Sequence, residues 1–205
     1  MSSVSLLFLL PCLSYFESWH WSIFGIGGII AITYSIPVLG FKSKKYSLRT
    51  APYVKLFALV IVWMLMTVIF PLKEINIDRP EVLLIILERL CFLFAITLPF
   101  DIRDMEMDRE QQVLTIPLKY GWKHSLMLSK GFLLVFFILV LLGYFKTIHN
   151  IFHASALLIS VLITFIAIQK SKPDSSLIHY TFYLEGTSLV QSLLIWFSYL
   201  AFAFI

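Results

Sequence analysis

The stretch EVLLIILERLCFLFAITLPFDIRDMEMD, Glu81 to Asp108, decides how this chain folds. Residues 81–100 are apolar and long enough to cross a bilayer as a helix. The residues that follow form a block of carboxylates. Asp101, Asp104, Glu106, Asp108 and Glu110 are five of the chain's twelve acidic residues. Apolar segments flank the block on both sides, so the charge is confined to the end of a helix that sits in lipid.

The rest of the composition agrees with a bilayer as solvent. The chain has 205 residues, of which 60% are hydrophobic and 14% charged, with a mean hydropathy of +0.90. Soluble domains carry about a quarter charged residues. Cys12 and Cys91 both lie in apolar runs and read as packing residues without a disulfide role. The net charge of +4 sits in loops, which argues against a nucleic-acid partner. The start, MSSVSLLFLLPCLSYF, lacks the basic n-region and small-residue cleavage site of a signal peptide.

Six segments meet the requirement of about 20 mostly apolar residues for a spanning helix. They are 20–40, 51–72, 81–100, 125–145, 151–169 and 182–204. A seventh stretch, 4–16, is too short for a full span and reads as the end of a helix. Backbone satisfaction in lipid permits helices or a closed barrel. Long uninterrupted apolar runs favour helices, because barrel strands alternate. The expected fold is therefore all-α: one domain over 1–205, a polytopic membrane bundle of six full spans plus one partial N-terminal span. No repeat or soluble domain interrupts it.

Basic residues in short loops orient such a bundle. Lys42, Lys44, Lys45 and Arg49 occupy the loop 41–50; Arg103, Arg109, Lys119 and Lys123 occupy 101–124; Lys170 and Lys172 occupy 169–181. These loops are two crossings apart and share one face with the carboxylates. The rule makes that face cytoplasmic, and for a bacterial source the membrane is expected to be the inner or plasma membrane.

Asp101, Asp104 and Asp108 follow the pattern D-x-x-D-x-x-x-D. Steps of three and four residues stack side chains on one helix face. Three like charges there repel, so a cation is expected to compensate them. Magnesium takes oxygen ligands and is commonly held by one or two carboxylates plus substrate phosphates. Arg103 and Arg109 interleave and can pair locally or meet phosphate oxygens. A solvated loop of helix-end charges is the plainer reading of an acidic run taken alone. An EF-hand is excluded, because the run has no glycine at the required turn.

The run DIRDMEMD at 101–108, followed by Thr115, Ile116, Pro117 and Gly121, resembles the second aspartate-rich motif of the UbiA superfamily of intramembrane prenyltransferases. Upstream, Tyr34, Ser35 and Pro37, the basic loop 42–49, then Pro52, Lys55 and Trp63 also fit that family. The resemblance extends over nearly the whole chain. It departs from the family pattern at three places. Gln111 and Gln112 stand where the family has a glycine. Val38 stands where a lysine would follow the tyrosine. The family's first aspartate-rich motif is absent, since Glu17 is the only acid before residue 74. The chain resembles the C-terminal two-thirds of a family member, with residue 1 falling inside the third helix, and is expected to be N-terminally incomplete.

The resemblance implies transfer of an isoprenyl group from its diphosphate to an acceptor that is often aromatic. It implies magnesium on Asp101, Asp104 and Asp108, and diphosphate contacts from Lys42, Lys44, Lys45, Arg49, Arg103 and Arg109. Membrane lipid surrounds the site, and a partner chain carrying the missing motif is a further implication. The alternative is a non-catalytic membrane protein, or half of a divided prenyltransferase. A cation transporter is disfavoured, because the aspartates sit at a helix end and the two halves do not resemble each other.

Other residues are less specific. Glu88 and Arg89 lie inside a span, and intramembrane ionisable residues face the bundle interior or a polar cavity. Adjacent helical residues point about 100° apart, so different partners are expected for the two. Glu185 opens the last span and is expected to make an interhelical or interfacial hydrogen bond. His153 and His179 lack metal-ligand spacing. Phe92, Phe94, Phe136 and Phe137 suit a prenyl tunnel, but core and lipid-facing roles are far commoner for such residues, and sequence does not separate them.

Overall fold

A computed structural model describes residues 17–35, 39–41, 44–46, 53–71 and 79–203. The partial span at 4–16, together with Lys42 and Arg49, lies outside the described residues. Helix α1, Ser18–Ser35, is followed by a short antiparallel hairpin. Strand β1, Leu39–Phe41, pairs with β2, Lys44–Tyr46, with Gly40 opposite Lys45. Part of the expected basic loop is thus a two-stranded turn, the one exception to helix among the described regular elements.

Helix α2, Val54–Met64, runs on through a π-helical turn at Leu65–Ile69. Helix α3, Pro80–Arg103, is the centre of the molecule. Its start is set by Pro80, whose missing N–H falls where no helical acceptor exists. Glu81 in the first turn and Arg103 in the last complement the helix dipole. A six-residue helix α4, Met105–Glu110, and a five-residue helix α5, Ile116–Tyr120, lead to α6, Trp122–Phe145. Helix α7, Ile151–Gln169, begins at Asn150, whose side chain accepts from the His153 N–H at 2.7 Å. A second π-helical turn, His179–Leu184, enters α8, Glu185–Ala203.

The helices neighbour one another in the order α1, α2, α3, α6, α7, α8. Core contacts knit the middle four together. Phe92 of α3 meets Phe136 of α6 with ring centres 5.4 Å apart. Leu133, Val140, Leu157, Ile168 and Leu184 fill the space around them. Outside this core the surface is apolar: Phe145, Leu162, Phe182 and Trp196 are all exposed. Contiguous exposed apolar surface on this scale needs lipid against it.

Three helices, α3, α6 and α7, are long and apolar enough to cross a bilayer. Helix α1 overlaps the expected span 20–40, and α8 lies within 182–204. The apolar helix Val54–Ile69 is shorter. At 1.5 Å per residue it rises about 24 Å, short of a hydrocarbon core of about 30 Å.

Proline inside α3 is tolerated for a visible reason. Pro99 has no N–H to give to the carbonyl of Ala95, one turn earlier. The Ser129 hydroxyl of α6 donates to that carbonyl instead, at 2.5 Å. In lipid an unsatisfied carbonyl would be costly, and a neighbouring hydroxyl removes the problem.

Candidate functional site

The three aspartates straddle a helix junction. Helix α3 ends at Arg103, and Asp104 adopts a non-helical backbone (φ −85°, ψ 2°) before α4 resumes. The expectation of one continuous helical face is corrected to this extent. Phase is nevertheless retained, because Asp104 N–H donates to Phe100 O at 3.0 Å and Asp108 N–H to Asp104 O at 2.8 Å. Asp101 and Asp108 are buried, and Asp104 is half-buried.

All three carboxylates converge on one ammonium. Lys55 Nζ lies 3.2 Å from Asp101, 3.3 Å from Asp104 and 3.0 Å from Asp108. Lys55 is the one charged residue of the Val54–Ile69 helix and is 4% exposed, so its charge depends on these partners. Its position in the first turn opposes the dipole of α2, and the carboxylates outweigh that opposition. The lysine is brought there by the start of α2: Tyr53, at a left-handed φ of 61°, donates its N–H to Leu114 O beyond α4.

Arg103 adds a second cation. Its Nε donates to Asp104 at 2.7 Å, and its guanidinium lies 5.0 Å from the Phe100 ring centre and 5.9 Å from that of Tyr180. Burial alone would raise the Asp104 pKa. The Arg103 hydrogen bond and the Lys55 charge outweigh burial and hold it below the ordinary carboxylate value. Two cations against three carboxylates leave the cluster one negative charge in excess.

The cluster forms one end of a cavity of about 500 Å³. Asp101, Asp104, Lys55 and Arg103 stand together in its lining; Leu59, Trp63, Leu93, Ile96 and Phe100 supply apolar wall. Tyr34 of α1 and Glu185 of α8 also line it, so four long helices contribute. Glu185 thus stands at this cavity, and Ser188 one turn on joins it.

The remaining expected residues separate. Arg109 is exposed on α4 and lines no part of the cavity. Lys44 and Lys45 belong to β2, where the backbone alone is described.

Magnesium can be tested against the donor set. Three carboxylates are hard oxygen donors of the kind this ion takes, and the excess negative charge favours a further cation. Their present spacing serves an ammonium, however. Magnesium requires oxygens at about 2.0–2.1 Å, closer than the 3.0–3.3 Å held around Lys55. Among the described residues no three such ligands already stand in metal-binding arrangement. The donors fit in kind, and Lys55 competes for them.

At its other end, α3 holds a second polar group that the sequence reading only half located. Glu88 and Arg89 do turn to different partners. His149 Nε2 lies 2.9 and 3.1 Å from the two Glu88 oxygens, while Arg89 binds the Gln191 side-chain oxygen. Gln191 in turn donates to Ser160 at 3.0 Å. The turn after α6 places His149: Ile148 and His149 both donate N–H to Gly143 O. Gly143 is required, since a Cβ there would stand 2.4 Å from the imidazole and 3.2 Å from Glu88. His153 stacks on His149 at 4.8 Å, and His179 shares a hydrogen bond of 3.1 Å with Ser171.

Lys55 and His149 are the residues that sequence reasoning left unassigned. A lone lysine opening an apolar helix was the available signal for the first. No local signal marks His149. Compared with protein-family models, with curated proteins and with solved structures, the chain finds no match.

Proposed function

We propose that this protein is an intramembrane prenyltransferase of the UbiA type, moving an isoprenyl group from its diphosphate to an acceptor, often aromatic, within the bilayer. One observation carries the reading: two carboxylates, Asp101 and Asp104, and two cations, Lys55 and Arg103, stand in the wall of an apolar, aromatic-lined cavity between membrane helices, with Asp108 behind them on Lys55. That combination suits a ligand with a highly charged head and a hydrocarbon tail. The tail lies against Leu59, Trp63, Leu93 and Phe100. The head meets Arg103 and Lys55. Asp101, Asp104 and Asp108 are the residues to hold magnesium, which when bound would supply positive charge to the departing diphosphate. The apolar wall excludes water from the reacting carbon. Lys42, Lys44, Lys45 and Arg49 are further contacts for the diphosphate.

In this reading α1, α2 and α8 join α3, α6 and α7 as six crossings. The carboxylate end faces the cytoplasm, by the excess of basic residues in its loops.

The test uses purified protein in nanodiscs with radiolabelled farnesyl diphosphate, magnesium and a membrane-lipid extract as acceptor source. Magnesium-dependent release of diphosphate is expected, with at least a hundredfold loss in Asp101→Asn. Equal turnover by that variant would sink the site assignment.

A second reading is favoured by the seating of Lys55. An ammonium bound to all three carboxylates can serve as a clasp between α2 and the α3–α4 junction in a non-catalytic membrane protein. No release from any isoprenyl diphosphate by a folded preparation would select it.

A further inference from the structure

We propose that the seam between α6 and α7, at the end of the molecule where the carboxylates stand, binds the phosphate of an anionic phospholipid through Lys130 and Lys123. The proposal is independent of the prenyltransferase reading, because it uses none of the same residues.

Lys130 is set apart by its depth. It follows Trp122, the first residue of α6, by eight positions, which is about 12 Å along the axis. A lysine that only orients a membrane protein sits in a loop. This one sits inside a helix long and apolar enough to span the bilayer. Its Nζ stands 5.5 Å from the centre of the Phe165 ring on α7, so the side chain reaches across the seam between the two helices. Helical side chains lean toward the N-terminus. That direction carries the ammonium back toward Lys123, seven residues earlier and on the same face. Lys123 is exposed in the first turn.

No carboxylate answers these two charges. Neither α6 nor α7 contains an aspartate or a glutamate, and α5 contains none. The other helix packed closely on α6 is α3. Its Asp101 is bound to Lys55, and its Glu81 lies in the first turn, at the opposite end. Glu88 is seven residues further from the carboxylate end than Ala95, which is level with Ser129, a step of about 10 Å. Glu185 lines the cavity of the carboxylate cluster, and Asp174 is exposed in the turn beyond α7. Among the described residues neither Lys130 nor Lys123 forms an ion pair. The Phe165 ring attracts the ammonium without neutralising it.

The occupant follows from what surrounds the pair. Met127 and Leu134 flank Lys130 on α6, Leu162 lies one turn from Phe165 on α7, and all of them are exposed. A cationic end therefore continues into an apolar strip, the match for a headgroup phosphate with its acyl chains. Basic pockets between membrane helices take anionic headgroups in this way. A water-soluble anion would leave the strip unused.

Intact-complex mass spectrometry of the full chain in neutral detergent reads the site, with dioleoyl phosphatidylglycerol and dioleoyl phosphatidylcholine as probes. Saturable binding of phosphatidylglycerol is expected, at least tenfold tighter than that of phosphatidylcholine. Lys130→Gln should remove the preference, and Lys123→Gln should reduce it. Lys146→Gln, which removes a cation at the other end of α6, should leave it unchanged. Phosphatidylglycerol should also raise the thermal midpoint of the wild-type protein more than phosphatidylcholine does, a comparison that needs no variant to fold. Equal affinities or equal midpoints with the two lipids, an unchanged preference in a folded Lys130→Gln, or an equal loss in Lys146→Gln would overturn the proposal. Displacement of the lipid by an equal concentration of glycerol phosphate would overturn the assignment to a lipid.

Discussion

Lys55 shows how much one side chain decides. Its ammonium is the only charge in the Val54–Ile69 helix, and three aspartates from 46 to 53 residues away enclose it. Removing one partner of a buried ion cluster strands the others, at a cost of about 3–5 kcal/mol. Lys55→Met should therefore lower the thermal midpoint sharply. If the carboxylates are a magnesium site, adding magnesium should restore the variant's midpoint by more than it raises that of the wild type. A scan with and without the ion decides the matter, and an equal response in both proteins would favour the clasp. Asp104 belongs to the same scale. Its folded pKa is depressed, so its contribution to stability is complete above the ordinary carboxylate value of about 3.9 and is lost as pH falls through the lower folded value. Asp104→Asn should flatten the acid limb of stability below about pH 4, measured by thermal unfolding across pH.

At the scale of elements, two departures from simple pattern have local explanations. Gln112 takes the position where the resembled family has glycine, and its φ is 56°, the left-handed region that glycine favours. A glutamine held in that region costs about 1 kcal/mol. The geometry of the turn is fixed by Val113 N–H, which donates to Asp108 O at 2.8 Å. Pro99 is the other case. Ser129 supplies the bond that proline removes, so Ser129→Ala should destabilise by about 1–2 kcal/mol, the cost of a buried unpaired carbonyl. In a Pro99→Ala background, residue 99 can donate to Ala95 itself, and the serine change should then be nearly neutral. A double-mutant cycle measured by chemical unfolding would expose the coupling, and strict additivity would remove the explanation.

For the whole molecule, antiparallel neighbours separate the two polar groups. The Asp101 cluster stands with the α4–α5 segment and the turn at Tyr180 at one end. The Glu88–His149 pair stands with the turn after α6 at the other. A protein spanning the bilayer should expose these ends on opposite sides. Single cysteines at Asp174 and Thr147, in a background with Cys12 and Cys91 replaced by alanine, should react with an impermeant maleimide from opposite faces of sealed vesicles. Labelling of both from the same face would contradict the arrangement.

The sequence by itself determined the solvent, the helical class and the placement of the acidic motif at a helix end. Apolar run length and the three-and-four spacing of Asp101, Asp104 and Asp108 are local properties, and local properties survive in a linear reading. It also separated Glu88 from Arg89, because adjacent helical residues must diverge. Tertiary structure alone decided which cation answers the aspartates, which imidazole meets Glu88 and which hydroxyl answers Pro99. Each of those pairings joins residues from different segments of the chain, 34 to 61 positions apart in three cases. No periodicity encodes such a distance; it is set by which helix packs beside which, and by the glycine at position 143 that lets two of them approach.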